Sequence, residues 1–330
     1  MSHRFDLYQG RGTERAGASG PLPLLERPAG LDDPAGYLAD SGLRDAVNVS
    51  LSLGQPLLLT GEPGTGKTQL AASIAHEFGL PRPLVFNVKT TSTAKDLFYQ
   101  YDAIRHFQDS HFGGKALRVD DYISFEAFGL AILLAKDPIQ VDEFLRPEHR
   151  GRGPTRAVVL IDEIDKAPRD LPNDLLNEIE AMSFTVKETR RTFTADPRYH
   201  PIVVLTSNSE KNLPDAFLRR CVFYHIPFPD EQQLRRIIER RLPPTSLFTP
   251  LMIENAIKEF LRIRRTFDLK KLPATAELLG WVRILADLQI DLENPKPGQI
   301  ESVIMSYSVL AKTKEDLELM RRQVSPISLG

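Results

Sequence analysis

Leu57-Leu58-Leu59-Thr60-Gly61-Glu62-Pro63-Gly64-Thr65-Gly66-Lys67-Thr68-Gln69 is the stretch that decides the fold. An apolar strand runs into a glycine-rich loop ending in Lys-Thr, and a helical pattern with Leu70, Ile74 and Phe78 on one face follows. The glycines let consecutive backbone N–H groups turn inward around phosphate oxygens, and the helix N-terminus adds positive potential at the same spot. Gly61 to Gln69 is therefore the candidate nucleotide-binding segment. Lys67 is placed to reach the β and γ phosphates, and the Thr68 hydroxyl to ligate Mg²⁺.

Working outward, four further apolar runs resemble the first: Leu84 to Val88, Ala157 to Ile161, Ile202 to Thr206 and Val222 to Ile226. Helical patterns separate them, so the chain reads as a parallel five-stranded sheet with crossovers, an α/β fold. Being apolar on successive residues, all five strands are expected to be buried on both faces. After Pro227-Phe228-Pro229 the strands stop. Asp230 with Gln233 forms a capping-box pattern, and Thr249-Pro250 reads as an N-cap followed by proline at the first helical position. Amphipathic segments around Leu278 to Leu288 and Ile300 to Leu310 complete an all-helical second domain. The expected organisation is an arm at 1–33, an α/β core at 34–226, a helical lid at 227–311, and a last helix end and tail at 312–330.

A metal-bound triphosphate needs a carboxylate at the end of a neighbouring strand, and hydrolysis needs a group that orients water. Val158-Val159-Leu160-Ile161-Asp162-Glu163 supplies both. Asp162 is expected to hold Mg²⁺ directly or through water, and Glu163 to polarise the attacking water. A third strand end carries Thr206-Ser207-Asn208, where the Asn208 amide can hydrogen-bond both water and a γ-phosphate oxygen without adding charge.

Composition excludes other classes. The chain has 330 residues, 42% hydrophobic and 26% charged, which suits a folded globular protein of one large or two ordinary domains. A single cysteine, Cys221, rules out an intramolecular disulfide framework and a cysteine-based zinc site, and fits a reducing cytoplasm. It reads as a filler of a small space beside the last strand. The longest apolar run, Ala127 to Ala135, is too short to span a bilayer, so no membrane segment is expected. A formal charge of -2 gives no global pull toward nucleic acid. Residues 231 to 271 hold ten Lys or Arg against five Asp or Glu, but without the interleaved aromatics of a nucleic-acid surface. The histidines show no metal-ligand spacing, and His106 and His111 read as loop residues.

The order Gly-Glu-Pro-Gly-Thr-Gly-Lys-Thr, Ile-Asp-Glu-Ile-Asp-Lys-Ala, Thr-Ser-Asn and Leu-Pro-Asp-Ala-Phe-Leu-Arg-Arg-Cys closely resembles the MoxR-like AAA+ ATPases over roughly residues 37–310. The resemblance implies a P-loop NTPase core with a C-terminal helical lid and ATP with Mg²⁺ as ligands. It also implies hydrolysis between subunits of a homo-oligomeric ring, a hexamer, that remodels or activates a protein partner. A protein bearing a von Willebrand factor A domain is the partner class that the family suggests. Asp162 and Glu163 correspond to its Walker B pair, Asn208 to sensor 1 and Arg220 to an arginine finger that acts in the next subunit. In one place the chain departs from the pattern: Leu272-Pro273-Ala274-Thr275 puts Ala274 where the family carries a sensor 2 arginine, leaving Lys270 or Lys271 as the nearby cations.

Pro172 to Met182 reads as a helix with Leu175, Leu176, Ile179 and Met182 on one face, followed by a hairpin of Phe184 to Lys187 and Arg191 to Thr194. Family members place such a helix and hairpin before sensor 1, and a surface ribbon without a role is the competing reading. Lys89 to Arg156 is about twice the usual crossover, and reads either as a partner-contacting insertion or as packing elaboration. Two alternatives to a ring remodelling ATPase share this sequence: a slow-turnover, nucleotide-dependent assembly scaffold, and the motor of a restriction-type nucleic-acid complex.

Overall fold

The computed structural model describes residues 33–112, 118–209, 213–242, 249–290, 292 and 299–324. All but Asp33 of the expected arm, and the last six residues of the tail, lie outside them. The chain divides into two compact units, one of them Tyr37–Pro227.

In that unit nine strands are described: β1 (Leu57–Gly61), β2 (Leu84–Asn87), β3 (Tyr99–Tyr101), β4 (Ile123–Phe125), β5 (Val158–Asp162), β6 (Ser183–Val186), β7 (Arg191–Thr194), β8 (Ile202–Thr206) and β9 (Val222–Ile226). Five of them form one sheet in the order β2-β5-β8-β1-β9, and every pairing in it is parallel. Alternate residues feed two layers. Leu57, Leu59, Val158, Leu160 and Val204 pack with Leu43, Leu70 and Ile74 of the helices Ser41–Leu53 and Lys67–Glu77. Leu58, Val159, Ile161, Val203 and Leu205 pack on the opposite face with the helices Ala127–Leu134 and Leu171–Ala181.

Burial on both faces holds for β1 and β8, and for β5 up to its last residue. It fails for β2 and β9, which alternate because they are the sheet edges: Val85 is 48% exposed and Phe223 49%. Phe78 also departs from expectation. It caps the helix end and is mostly exposed, while Leu70 and Ile74 stay buried.

Parts of the 89–156 stretch belong to the core. Phe128, Ala131, Ile132 and Leu133 of its apolar helix are fully buried. Phe98 stacks on Phe184 of β6 with ring centroids 5.2 Å apart, and Phe125 meets Phe193 of β7 edge-on at 5.7 Å. The β6–β7 hairpin is therefore a packed element, with Phe184, Val186 and Phe193 turned inward. His106 and His111 lie on the helix Ala103–Phe112, not in a loop; His106 stacks on Tyr122 at 4.5 Å and hydrogen-bonds Tyr101.

The close approach of the buried helix to Phe98 depends on Gly129, where an added Cβ would lie 2.0 Å from the Phe98 carbonyl oxygen. Backbone atoms on both sides leave nothing flexible to give way. Gly129→Ala is expected to destabilise the unit by roughly 3 kcal/mol, read as a lower urea midpoint.

The second unit holds residues from Phe228 onward together with the short turn Pro34–Gly36. Its helices start as the sequence indicates: Asp230 and Gln233 cap Glu231–Arg241 reciprocally, and Thr249 caps Pro250–Thr266. Trp281, Phe260 and Tyr307 centre its core, with the Trp281 indole N–H donating to the Ser306 hydroxyl at 2.8 Å. Buried Arg241 donates to the Asp33 carbonyl at 2.7 Å, joining the turn to this unit. Among the described residues no helix is long and apolar enough to cross a membrane.

Candidate nucleotide site

At the C-terminal edge of the sheet, β1 ends in a loop whose glycines carry the turn. Gly61, Gly64 and Gly66 all have positive φ. Gly61 is the least replaceable, because a Cβ there would lie 2.6 Å from the Ile226 carbonyl oxygen in addition to its left-handed backbone. Thr65 closes the loop by donating its hydroxyl to the Glu62 carbonyl at 2.9 Å, while Glu62, Pro63 and Gly64 are exposed. Gln69 sits in the first helical turn, its N–H donating to the Gly66 carbonyl at 3.1 Å.

Lys67 is buried under this loop. Its ammonium donates to the carbonyls of Gly61 (2.7 Å) and Glu62 (3.0 Å), and to the Asn208 amide oxygen at 3.0 Å. Burial lowers its pKa from the ordinary lysine value, and the carboxylates of Asp162, Asp165, Glu163 and Glu62 oppose that fall.

The three strand ends converge because β8 lies between β5 and β1. Thr68 donates its hydroxyl to Asp162 at 3.1 Å, which sets two hard oxygen groups side by side in front of the loop. A hydroxyl and one carboxylate are the usual protein share of a Mg²⁺ shell that phosphate oxygens and water complete, so these residues fit that ion. Glu163 has left-handed backbone, φ 59°, and its carboxylate is ion-paired with Lys166 at 2.5 Å. Both partners are substantially exposed, so little opposes the opening of the pair.

Three residues of the network escape a strand-end reading of the sequence. Thr206, fully buried, donates its hydroxyl to Asp162 Oδ1 and accepts the Glu163 N–H at 2.9 Å. Asp165 accepts the Asn208 N–H at 3.2 Å, and Lys166 holds Glu163. The signal for Thr206 was present: it is the polar last residue of an otherwise apolar strand.

Arg220 lies elsewhere. It precedes β9, whose first residue, Val222, pairs with Leu57 at the start of β1, whereas Ile226 pairs with Gly61. Those four strand steps alone span about 13 Å, so Arg220 stands at the opposite end of the sheet from the loop of its own chain. Its guanidinium is ion-paired with Glu180 at 2.5 Å, beside a cleft lined by Pro56, Leu176, Phe217 and Cys221. Arg219 is exposed. Cys221 is part-buried as expected, and burial pushes its thiol up to about 12. In the helical unit, Ala274 occupies the N-cap position of the helix Thr275–Asp287, its N–H donating to the Glu277 carboxylate at 3.0 Å, and Lys270 pairs with Glu315 at 3.5 Å.

A phosphate loop, a strand-end acid pair and a strand-end amide on a β2-β5-β8-β1-β9 parallel sheet define a P-loop NTPase of the AAA+ class. A family model described as AAA domain (dynein-related subfamily) matches residues 56–221, and the chain belongs to that family of ATPases. A solved structure described as "Structural Basis for Katanin Self-Assembly" is 16% identical, covering 90% of this chain and 85% of that chain with a TM-score of 0.40.

Proposed function

We propose that the protein is a MoxR-like, Mg²⁺-dependent AAA+ ATPase that hydrolyses ATP between the subunits of a cytoplasmic homo-oligomeric ring and uses the work to remodel a protein partner. The observation that carries this reading is the convergence of Lys67, Asp162, Glu163 and Asn208 at one end of the sheet while Arg220 stands at the other. The motif order along the chain supports the MoxR-like assignment and, through it, a partner with a von Willebrand factor A domain. The core is assigned to 37–227 and the lid to the residues from 228 onward; the turn Pro34–Gly36, expected in a core of 34–226, groups with the helical unit.

In this mechanism the loop N–H groups and Lys67 bind the phosphates, with Lys67 exchanging the Gly61 and Glu62 carbonyls for phosphate oxygens. Thr68 and Asp162 would hold Mg²⁺, which would offset the negative charge of the phosphates. Glu163 parts from Lys166 and accepts a proton from the attacking water. Asn208 turns its amide to the water and the γ-phosphate. Arg220 meets the γ-phosphate bound by the neighbouring subunit, where its planar donors suit bidentate contact.

Assembly tests the reading most directly. Glu163→Gln, which retains ATP, is expected to sediment with Mg²⁺ and ATP as a species several times larger than the nucleotide-free protein. A monomer in both states at high concentration excludes the ring. Steady-state turnover separates a remodelling ATPase from a slow scaffold, and a pulldown with Glu163→Gln in ATP identifies the partner.

A further inference from the structure

We infer that Thr206 is a positioning residue for hydrolysis, its single hydroxyl holding both acids of the adjacent strand in register with the phosphate loop. The inference rests on the roles given above to Asp162 and Glu163.

Thr206 is 1% exposed, at the last position of β8, directly beside the end of β5. Its Oγ1 has one proton to give and lone pairs to receive. The proton goes to Asp162 Oδ1, the same oxygen that accepts the Thr68 hydroxyl. That contact fixes the rotation of the Asp162 carboxylate in front of Thr68. The lone pair takes the Glu163 N–H at 2.9 Å. This N–H belongs to a residue at φ 59° and ψ 50°, a backbone conformation that a side chain beyond glycine adopts at a cost and keeps only when its surroundings hold it. The hydroxyl thus ties down the turn from which the Glu163 carboxylate departs. Asp165 reinforces the same seam from the other strand by accepting the Asn208 N–H. The two loops that carry metal ligand, base and sensor are cross-linked in both directions, and Thr206 is the only one of these groups that touches Asp162 and Glu163 at once.

Thr206→Val keeps the shape and removes the hydroxyl; Thr206→Ser keeps the hydroxyl and removes the methyl. Two measurements read the effect. The first is the affinity of a fluorescent ATP analogue with Mg²⁺ and with EDTA. Thr206→Val is expected to lose about tenfold or more of the Mg²⁺-dependent gain while its affinity in EDTA stays that of the wild type, as residues that orient metal ligands ordinarily show. The second is steady-state hydrolysis, in which Thr206→Val is expected to lower kcat by about 10- to 100-fold and to raise KM for Mg-ATP in step with the lost Mg²⁺-dependent affinity. Thr206→Ser restores both. Wild-type values in Thr206→Val overturn the inference, and so does a Thr206→Ser variant as impaired as Thr206→Val, because the methyl packing is then what matters. Equal loss of EDTA-state binding in Thr206→Val overturns it as well, by showing a damaged fold. Glu163→Gln, assayed in parallel, separates the two levels: if it hydrolyses ATP like the wild type, the site assignment itself fails; if it is inactive and Thr206→Val is not, only the positioning role falls.

Discussion

Arg220→Ala binds ATP like the wild-type chain and hydrolyses it roughly 10³ to 10⁵ times more slowly, the usual share of an arginine supplied in trans. The expectation follows from where the residue stands. Arg220 precedes the first residue of β9, at the far end of the sheet from Gly61, so it has no route to the phosphates of its own chain and its loss leaves that binding site whole. A mixing experiment distinguishes action on a neighbour from a folding role. Arg220→Ala retains Glu163, Glu163→Gln retains Arg220, and random assembly of equal amounts in a head-to-tail ring joins an intact site to an intact arginine at roughly a quarter of interfaces. Activity therefore reappears on mixing two inactive proteins. If the subunits exchange and the mixture stays inert, the trans role is refuted or several intact sites must act together. Activity in Arg220→Ala with loss in Arg219→Ala moves the assignment to the neighbouring arginine.

The second large effect divides binding from chemistry at the loop itself. Glu163→Gln is expected to bind Mg-ATP normally and to lose about 10² to 10⁴ in kcat, the range for a removed general base. Lys67→Ala is expected to fail earlier, at binding. Its ammonium sits under the loop with all three donors engaged, so removal takes away the charge that meets the β and γ phosphates and also the contact that fixes Asn208. Titration with a fluorescent nucleotide reads the difference: saturable binding for Glu163→Gln and a large loss for Lys67→Ala. Equal loss in both contradicts the division of roles.

The phosphate loop, the two acids and the order of helices and strands were legible because each is local: a spacing of glycines, an acid after an apolar run, a capping pair. Strand order is not local, and for that reason the edge positions of β2 and β9 were hidden. Five apolar runs look alike until the crossovers decide which two lack a neighbour, and only then do Val85 and Phe223 become half-exposed. The same holds for Thr206, whose significance comes from lying beside residues 162 and 163, 44 and 43 positions away in the chain. The hairpin after Met182 was recognisable as a hairpin, but its burial depended on Phe98, Phe125 and Phe144, which come from a segment that sequence spacing marks only as long.

That burial sets the terms on which the protein can be re-engineered. A deletion through the whole of 89–156 would strip Phe98, Phe128, Ile132 and Leu133 from the central core, and would report on folding whatever the segment's role. Between β3 and β4 the situation is different, because Tyr101 pairs with Ile123 and the chain leaves and returns at adjacent points of one small ladder. Tyr101 and Ile123 therefore set a fixed, narrow socket, about 5 Å across, where the intervening stretch joins the ladder. A segment of another length that keeps its two ends that far apart is expected to join the socket without breaking the strand pairing, at the cost of the ion pairs that Arg118 makes with Glu143 and Asp120 with Arg191.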